Sequence, residues 1–464
     1  MPEPTPEMPA AFGLTTATFV IVASMVGVGV LTTSGYTVYF VGSNGFMLAL
    51  WVLGGVTAAC GALTLCELTA ALPRTGGDYV YLREAYGPLI AFLSGWVSFL
   101  IGFAGPSASA AFGSSKYLLA PFDVPDKFVL LSQRGLATAL IVVFALVHIS
   151  GRKLTAHVQG WVTAVKLVLL GMFVAAGLVA GRSHFGNLAD PKPITASLAV
   201  SMMFALVFIS YAYIGWNAAS YLAGEFRDPQ RQLPKAILFG TIGVVVLYIG
   251  LNVVYSLALS AADVKAIVES PDNRLAFKAE AVAPIAELAA SRLFGQRFSS
   301  SFSVAVGLML LSSLSAYLLI GPRVIYTMAV QGQFPSFAAR LTDRGGTPAA
   351  ATALQTICTL VMLWTGSFES LFVYASVGLS IFSMLAISAV YVLRWKRPDL
   401  PRPFRTPGYP ITPAFYLIVT ALLTGAAFSE RPIVSSYALL SILGGVPVYY
   451  LWHWLRDREA RLIA

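Results

Sequence analysis

One lysine, one asparagine and two glycine-broken apolar runs are the features of this sequence that could do chemistry. Lys166 falls about 12 Å into the apolar run that opens at Val158, taking roughly 1.5 Å per helical residue. In a hydrocarbon core about 30 Å thick, that depth is close to the middle. An ammonium there costs at least about 2.5–3.5 kcal/mol on insertion scales, so it should meet carbonyls, hydroxyls or water. Ser312, Ser313 and Ser315, in a later apolar run, are the candidate partners. The plain alternative is a lysine whose stem snorkels along its helix. At this depth the stem falls short of the interface.

The first apolar run contains Ser24-Met25-Val26-Gly27-Val28-Gly29-Val30, and the sixth contains Tyr211-Ala212-Tyr213-Ile214-Gly215-Trp216-Asn217. Each glycine weakens a helix by roughly 1 kcal/mol relative to alanine. In lipid, a freed backbone group is tolerated only where it is buried in protein or lines a cavity. The N–H groups that follow a break carry the positive end of a helix dipole and suit a carboxylate. The carbonyls that precede it suit an ammonium or Na⁺. Amides at one break and carbonyls at another would together read the zwitterionic end of an amino acid. Glycines also serve close helix packing, and with 40 in the chain a single one carries little weight. The matched positions of the two breaks, with Asn217 at mid-depth, favour a site.

The elements that must position these residues follow from composition. The chain has 464 residues, 57% of them hydrophobic and only 11% charged, against roughly 25% charged in soluble domains. A surface so poor in charge cannot face water, which excludes a soluble enzyme, a disordered chain and a nucleic-acid module despite the net charge of +9. Runs long enough to cross a bilayer lie at about 13–40, 44–72, 88–118, 134–150, 158–181 and 197–224, then 237–260, 299–330, 350–366, 369–393, 412–429 and 433–455. The expected fold is therefore an all-α membrane protein with twelve transmembrane helices and both termini on one side. Interrupted first and sixth spans are the mark of a five-plus-five inverted repeat with its site at the midplane. On that reading 1–12 is a tail, 13–393 the core (repeats 13–181 and 197–393), 394–455 two added helices with a basic loop before them, and 456–464 a second tail.

Loop charge sets the orientation. The loops on the side of the termini hold the larger share of Lys and Arg, with Arg394, Lys396, Arg397, Arg402 and Arg405 in one of them. By the positive-inside rule both termini are cytoplasmic, in a plasma or inner membrane. On the opposite side, the long connection 261–298 reads as a loop. The start of the chain is Pro-rich, holds Glu3 and Glu7, and lacks a basic signal-like region, so the first apolar run is expected to be a span. Cys60, Cys66 and Cys358 lie in apolar runs and suggest neither a disulfide framework nor a metal site. No cofactor is expected.

At this point the residues resemble the amino acid–polyamine–organocation superfamily of transporters, and within it the L-amino-acid-transporter-like branch. The similarity spans nearly the whole chain. It is carried by Gly27-Val28-Gly29, Glu67, Gly76-Gly77-Asp78-Tyr79-Val80-Tyr81, Lys166, Gly215-Trp216-Asn217, Gln232-Leu233-Pro234 and Gly321-Pro322-Arg323. Leu393-Arg394-Trp395-Lys396-Arg397-Pro398, Arg402-Pro403-Phe404 and Gly444-Gly445-Val446-Pro447-Val448-Tyr449 complete it. The resemblance implies a LeuT-like fold and Na⁺-independent amino acid transport, by exchange or proton-linked uptake. It implies that amides around Val28 and Gly29 hold the substrate carboxylate, and that the carbonyls of Met25, Tyr211 and Ile214 hold its ammonium. Tyr211 would be the aromatic gate, Asn217 the polar residue of the broken helix, and Lys166 the lysine that replaces a second sodium.

Three positions depart from that pattern. Val28 stands where relatives usually have Ser, which removes a hydroxyl donor to the carboxylate. Ile214 stands where many have Gly, which narrows the pocket. No Cys occurs near Asp123, so no disulfide-linked partner subunit is expected, and a monomer is.

Substrate charge can be read from the chain itself. Glu67, Glu225 and Glu369 all fall at span ends, so no midplane carboxylate is expected for a cationic substrate. The expected cargo is a neutral, small-to-medium amino acid, with Tyr213 and Ile214 shaping the pocket alongside Tyr211. The loop Gly76-Gly77-Asp78-Tyr79 is either a plain turn or an inner-gate element. His148, His157, His184 and His453 are scattered and match no catalytic motif, so an enzyme is not expected. A channel, a transport-dead amino-acid sensor and a carrier of small organic amines are the alternatives. A permanently charged Lys166 would give an exchanger, and a titrating one a proton symporter.

Overall fold

An apolar run in lipid has no water to satisfy its backbone, so every N–H and C=O must pair within the run, and a helix results. The computed structural model describes residues 12–463 apart from 181–183, 189–192, 194, 272, 274–277, 344–345 and 366–367. Residues 1–11 of the expected N-terminal tail and the basic residues Arg182, Lys192, Arg274 and Arg344 lie outside the described residues, as do the side chains of Arg297, Glu369 and Arg461.

The first run holds two helices, α1 (Leu14–Met25) and α2 (Val28–Val41), followed by α3 (Asn44–Ala71) and α4 (Asp78–Tyr86). Next come α5 (Pro88–Leu119), α6 (Asp126–Ser150), α7 (Arg152–Val179), α8 (Ala196–Ala212) and α9 (Pro229–Ala258). The second part contains α10 (Ala261–Val268), α11 (Ile285–Phe294), α12 (Gln296–Val330), α13 (Ala349–Thr365), α14 (Phe368–Lys396), α15 (Ile411–Glu430) and α16 (Pro432–Ile463). Among the described residues ten helical stretches are long and apolar enough to cross a membrane, counting α1 with α2 as one. The shorter apolar helices α8 and α13 fall in the sixth and ninth expected runs. The only β pairing among the described residues is an isolated bridge, Phe12 with Phe226.

Local chemistry explains where helices stop. Gly42 ends α2 in the left-handed conformation (φ 61°), its N–H bonded to the carbonyl of Val38. Ser43 then caps α3 by accepting from the amide of Phe46 at 3.4 Å. Gly87 (φ 93°) ends α4, and Pro88 opens α5 at a position where its missing N–H costs nothing. Within α5 the stretch Ser98–Ala104 widens into a π-helix, a feature that often marks functional sites.

Exposed apolar side chains form the outer face: Trp161, Val165, Val168 and Met172 on α7, Phe239, Ile242 and Val246 on α9, and Ile418 and Leu422 on α15. Such a surface suits lipid, not water. The chain is an all-α, multi-pass membrane protein. One expectation is corrected here. The connection 261–298 is not a bare loop, because it contains α10, opened by a capping box between Ser260 and Asp263, and α11. The segment between them reaches α2, where Gly35 leaves room for the Val282 carbonyl.

Candidate functional site

Both glycine-containing runs are broken, and the breaks touch each other. In the first, α1 ends at Met25, Val26 and Gly27 leave the helical conformation, and α2 restarts at Val28 with no side-chain cap. In the second, α8 ends at Ala212, turns occupy 213–217, and a 3-10 helix runs Ala218–Glu225. Gly215 has φ +116°, and a Cβ on it would stand 2.8 Å from the Ser24 carbonyl carbon. A Cβ on Gly29 would stand 2.9 Å from the Cα of Ala212. Glycine at both positions is what allows main chain to meet main chain.

The carbonyls left open at the end of α1 are each taken by a side chain from another helix. Lys166 on α7 donates to the carbonyl of Val26, to that of Ala23 at 3.4 Å and to the Ser313 hydroxyl at 2.8 Å. The Ser313 oxygen on α12 lies 2.9 Å from those same two carbonyls. The Tyr317 hydroxyl donates to Ser24 at 2.8 Å. Tyr248 on α9 donates to Met25 at 2.7 Å and lies 3.0 Å from the Ala212 carbonyl, so one phenol joins both breaks. Lys166 is fully buried, and its ammonium points at carbonyls and a hydroxyl, not lipid.

The start of α2 is different. Gly27, Val28 and Gly29 line a cavity, together with Tyr211, Tyr213, Ile214, Gly215 and Asn217 from the second break. The unpaired amides and positive dipole end of α2 therefore face open space with no acidic side chain capping them. Ser98 and Phe103 of the π-helical stretch complete one wall, and Tyr416 and Thr420 of α15 another. The indole of Trp216 packs edge-on against Tyr416 at 5.8 Å.

Several expected site residues are placed differently from the sequence reading. Val26 does not line the cavity among the described residues, because its carbonyl turns to Lys166. Ser312 does not contact Lys166 either. It pairs with Thr163 at 3.1 Å and accepts from Gln159 through its carbonyl. Ser315 meets His148 at 3.2 Å. Tyr213 lines the cavity with its ring but donates its hydroxyl to the Trp51 carbonyl at 3.0 Å, within a cluster of Trp51, Tyr213 and Tyr248. Met25 and Tyr211 offer carbonyls that already accept from Tyr248 and from the Ile214 amide.

The expectation that no carboxylate reaches the site is also corrected. Asp78, in the connection between α3 and α5, lines the cavity and accepts from Asn217 at 2.8 Å and Tyr221 at 3.0 Å. Burial pushes its carboxyl up to about 6, more than these two donors pull it down. Toward the end of the second break, Glu225 pairs with Arg323 at 2.9 Å, both side chains fully buried. Beside them the Phe12 amide donates to the Glu225 carbonyl at 3.0 Å.

A helical bundle crossing the membrane many times, with a central cavity where two helix breaks meet, is the architecture of a transporter. Residues 12–446 match the family described as amino acid permease. Over 454 residues the chain is 30% identical to Asc-type amino acid transporter 1 of Mus musculus, covering 96% of this chain and 82% of that one. It is 29% identical over 456 residues to large neutral amino acids transporter small subunit 2 of Homo sapiens, covering 95% and 79%. It is 26% identical over 436 residues to the Homo sapiens cystine/glutamate transporter, covering 93% and 83%. The chain belongs to the amino acid permease family, and it is a secondary-active amino-acid transporter, not an enzyme.

Proposed function

We propose that the protein is a Na⁺-independent carrier of neutral, small-to-medium amino acids that works by alternating access. The observation that carries this reading is the uncapped start of α2 opening on the cavity, against the fully engaged end of α1. A substrate carboxylate would sit on the amides at Val28 and Gly29, and its ammonium against the carbonyls of the second break. Val28 adds no hydroxyl there, so the main chain alone would hold the carboxylate.

Lys166 would stand where a sodium ion could otherwise bind, its charge fixed against the carbonyls of Ala23 and Val26. Motion would be rocking of the broken helices against the remaining core, arranged as inverted repeats 13–181 and 197–393 with α15 and α16 outside them. Both termini would face the cytoplasm of a cell membrane. The names of the relatives support the substrate class: Asc-type amino acids, large neutral amino acids, and cystine or glutamate. Between these, a cavity with Ile214 and aromatic walls, and no cation lining it among the described residues, favours a neutral side chain over an anionic one, while the Asp78 carboxyl there is already engaged by Asn217 and Tyr221.

Counterflow into proteoliposomes preloaded with unlabelled amino acid tests the reading. Labelled L-leucine or L-alanine should accumulate equally in sodium and choline buffers, well above L-lysine and L-glutamate. No counterflow, or counterflow only with sodium, would remove the proposal and leave the sensor alternative standing.

A further inference from the structure

Three carboxylates are buried among the described residues, and they are not equivalent. Glu67 receives both arms of Arg394 at 2.8 and 2.7 Å, with Arg402 at 3.5 Å and Thr406 as further partners. Glu225 is held by Arg323 at 2.9 and 3.3 Å. Asp78 has no cation within salt-bridge distance among the described residues. Its Oδ2 accepts from Asn217 and Tyr221, while its Oδ1 is buried with no hydrogen-bond partner.

The titratable side chains grouped around this pocket are the phenols of Tyr221 from the 3-10 helix, Tyr81 from α4 itself and Tyr416 from α15, with the Cys66 thiol of α3 beyond Tyr81. Arg74, in the segment before it, is engaged by Glu84 at the surface, and Arg323 by Glu225. A buried carboxylate without a counter-charge favours its protonated form, and a bare oxygen is the place for that proton.

Position gives this group a role. Asn217 closes the second break, so any swing of the half-helix beyond it carries away a donor of Asp78 and lets water reach the carboxyl. We propose that Asp78 is a proton-binding site of the transport cycle, loaded on Oδ1 while Asn217 is in contact and released to water when that contact parts. The inference rests on the alternating-access reading above. The exchange is balanced: hydronium gives a proton to the carboxylate and leaves water, and the acid returns it on the other side. Lys166 lies outside this pocket, its amine taken by two carbonyls and the Ser313 hydroxyl.

The test uses the purified full-length protein in proteoliposomes with a trapped pH dye and labelled L-leucine. An inward acid gradient should raise wild-type uptake several-fold over symmetric pH, and leucine should acidify the lumen. In Asp78→Asn that ratio should fall to one. Tyr221→Phe removes a donor to the carboxylate, so the midpoint of the pH profile should move to higher pH. Infrared difference spectra should show a carboxylic-acid C=O band that titrates in wild type and is missing in Asp78→Asn. An unaltered gradient ratio in Asp78→Asn, or an unmoved midpoint in Tyr221→Phe, would overturn the inference. Wild type with robust counterflow but no gradient response would overturn it while sparing the carrier itself. Loss of all counterflow in wild type would instead end the transport reading, and the infrared band would still decide whether Asp78 holds a proton.

Discussion

Lys166 and Ser313 stand 2.8 Å apart on different helices and close on the same two carbonyls, those of Ala23 and Val26. An ammonium and a hydroxyl thus finish a helix that the sequence leaves open. Removing the ammonium leaves buried carbonyls short of donors, which costs about 1–3 kcal/mol per unsatisfied group. Lys166→Ala should therefore lower the thermal midpoint, and lower leucine counterflow by loosening the break that the proposed site is built on. Ser313→Ala should do the same more weakly. Thermal shift and counterflow on the same preparations separate the two effects, and full activity in Lys166→Ala would discard the lysine's role.

The contact between the breaks makes a prediction about glycine. Gly215→Ala combines φ +116° with a Cβ 2.8 Å from main chain, so it should destabilise by about 1–3 kcal/mol. Gly243, in the middle of α9, has nothing within 4 Å of its Cβ position, and Gly243→Ala should be neutral or slightly stabilising. Detergent-solubilised thermal melts of the pair give the comparison. Equal midpoints would mean the breaks do not press on each other.

The fully buried pair Glu225–Arg323 predicts a non-additive result. Arg323→Met strands a carboxylate and should cost about 3–5 kcal/mol, whereas adding Glu225→Gln to it should recover much of the loss. A double-mutant cycle on unfolding midpoints reads this directly, and simple additivity would contradict it.

Asp78 predicts how stability depends on pH. Its carboxyl lies near 6 in the folded chain against an ordinary 3.8, so the folded state binds the proton more tightly. That stabilisation is complete below about 3.8 and is lost as pH rises through about 6. Lowering pH from neutral should raise the melting midpoint by an increment that Asp78→Asn lacks. A midpoint difference independent of pH would refute it.

The parts of this architecture that sequence reveals are those written locally. Gly27 and Gly215 fall inside apolar runs where only a break explains them, and Lys166 is conspicuous because one charge sits among aliphatic residues. What stayed hidden depends on rotation and on distance along the chain. Ser312 and Ser313 are neighbours, yet about 100° of helical turn separates them, so only one meets the lysine. Asp78 and Asn217 are 139 positions apart, and a Gly-Gly-Asp sequence looks like any turn. Tyr248 reads as one more aromatic in a span, although a buried phenol usually finds a partner, and here it finds two. The π-turn at Ser98–Ala104 and the helices after Ala258 carry no local mark that separates them from ordinary helix or loop.

In the proposed repeat arrangement helix α15 falls outside both halves, yet it places Tyr416 and Thr420 against the chamber, where Tyr416 leans on Trp216 and shares a hydroxyl contact with Ser383. An element without a symmetry mate can drift in sequence without disturbing the hinge that the two proposed halves would share. Cargo preference in this lineage could then diversify through α15 alone, leaving the moving parts untouched, and grafting residues 411–430 between relatives would carry taste without changing mechanics.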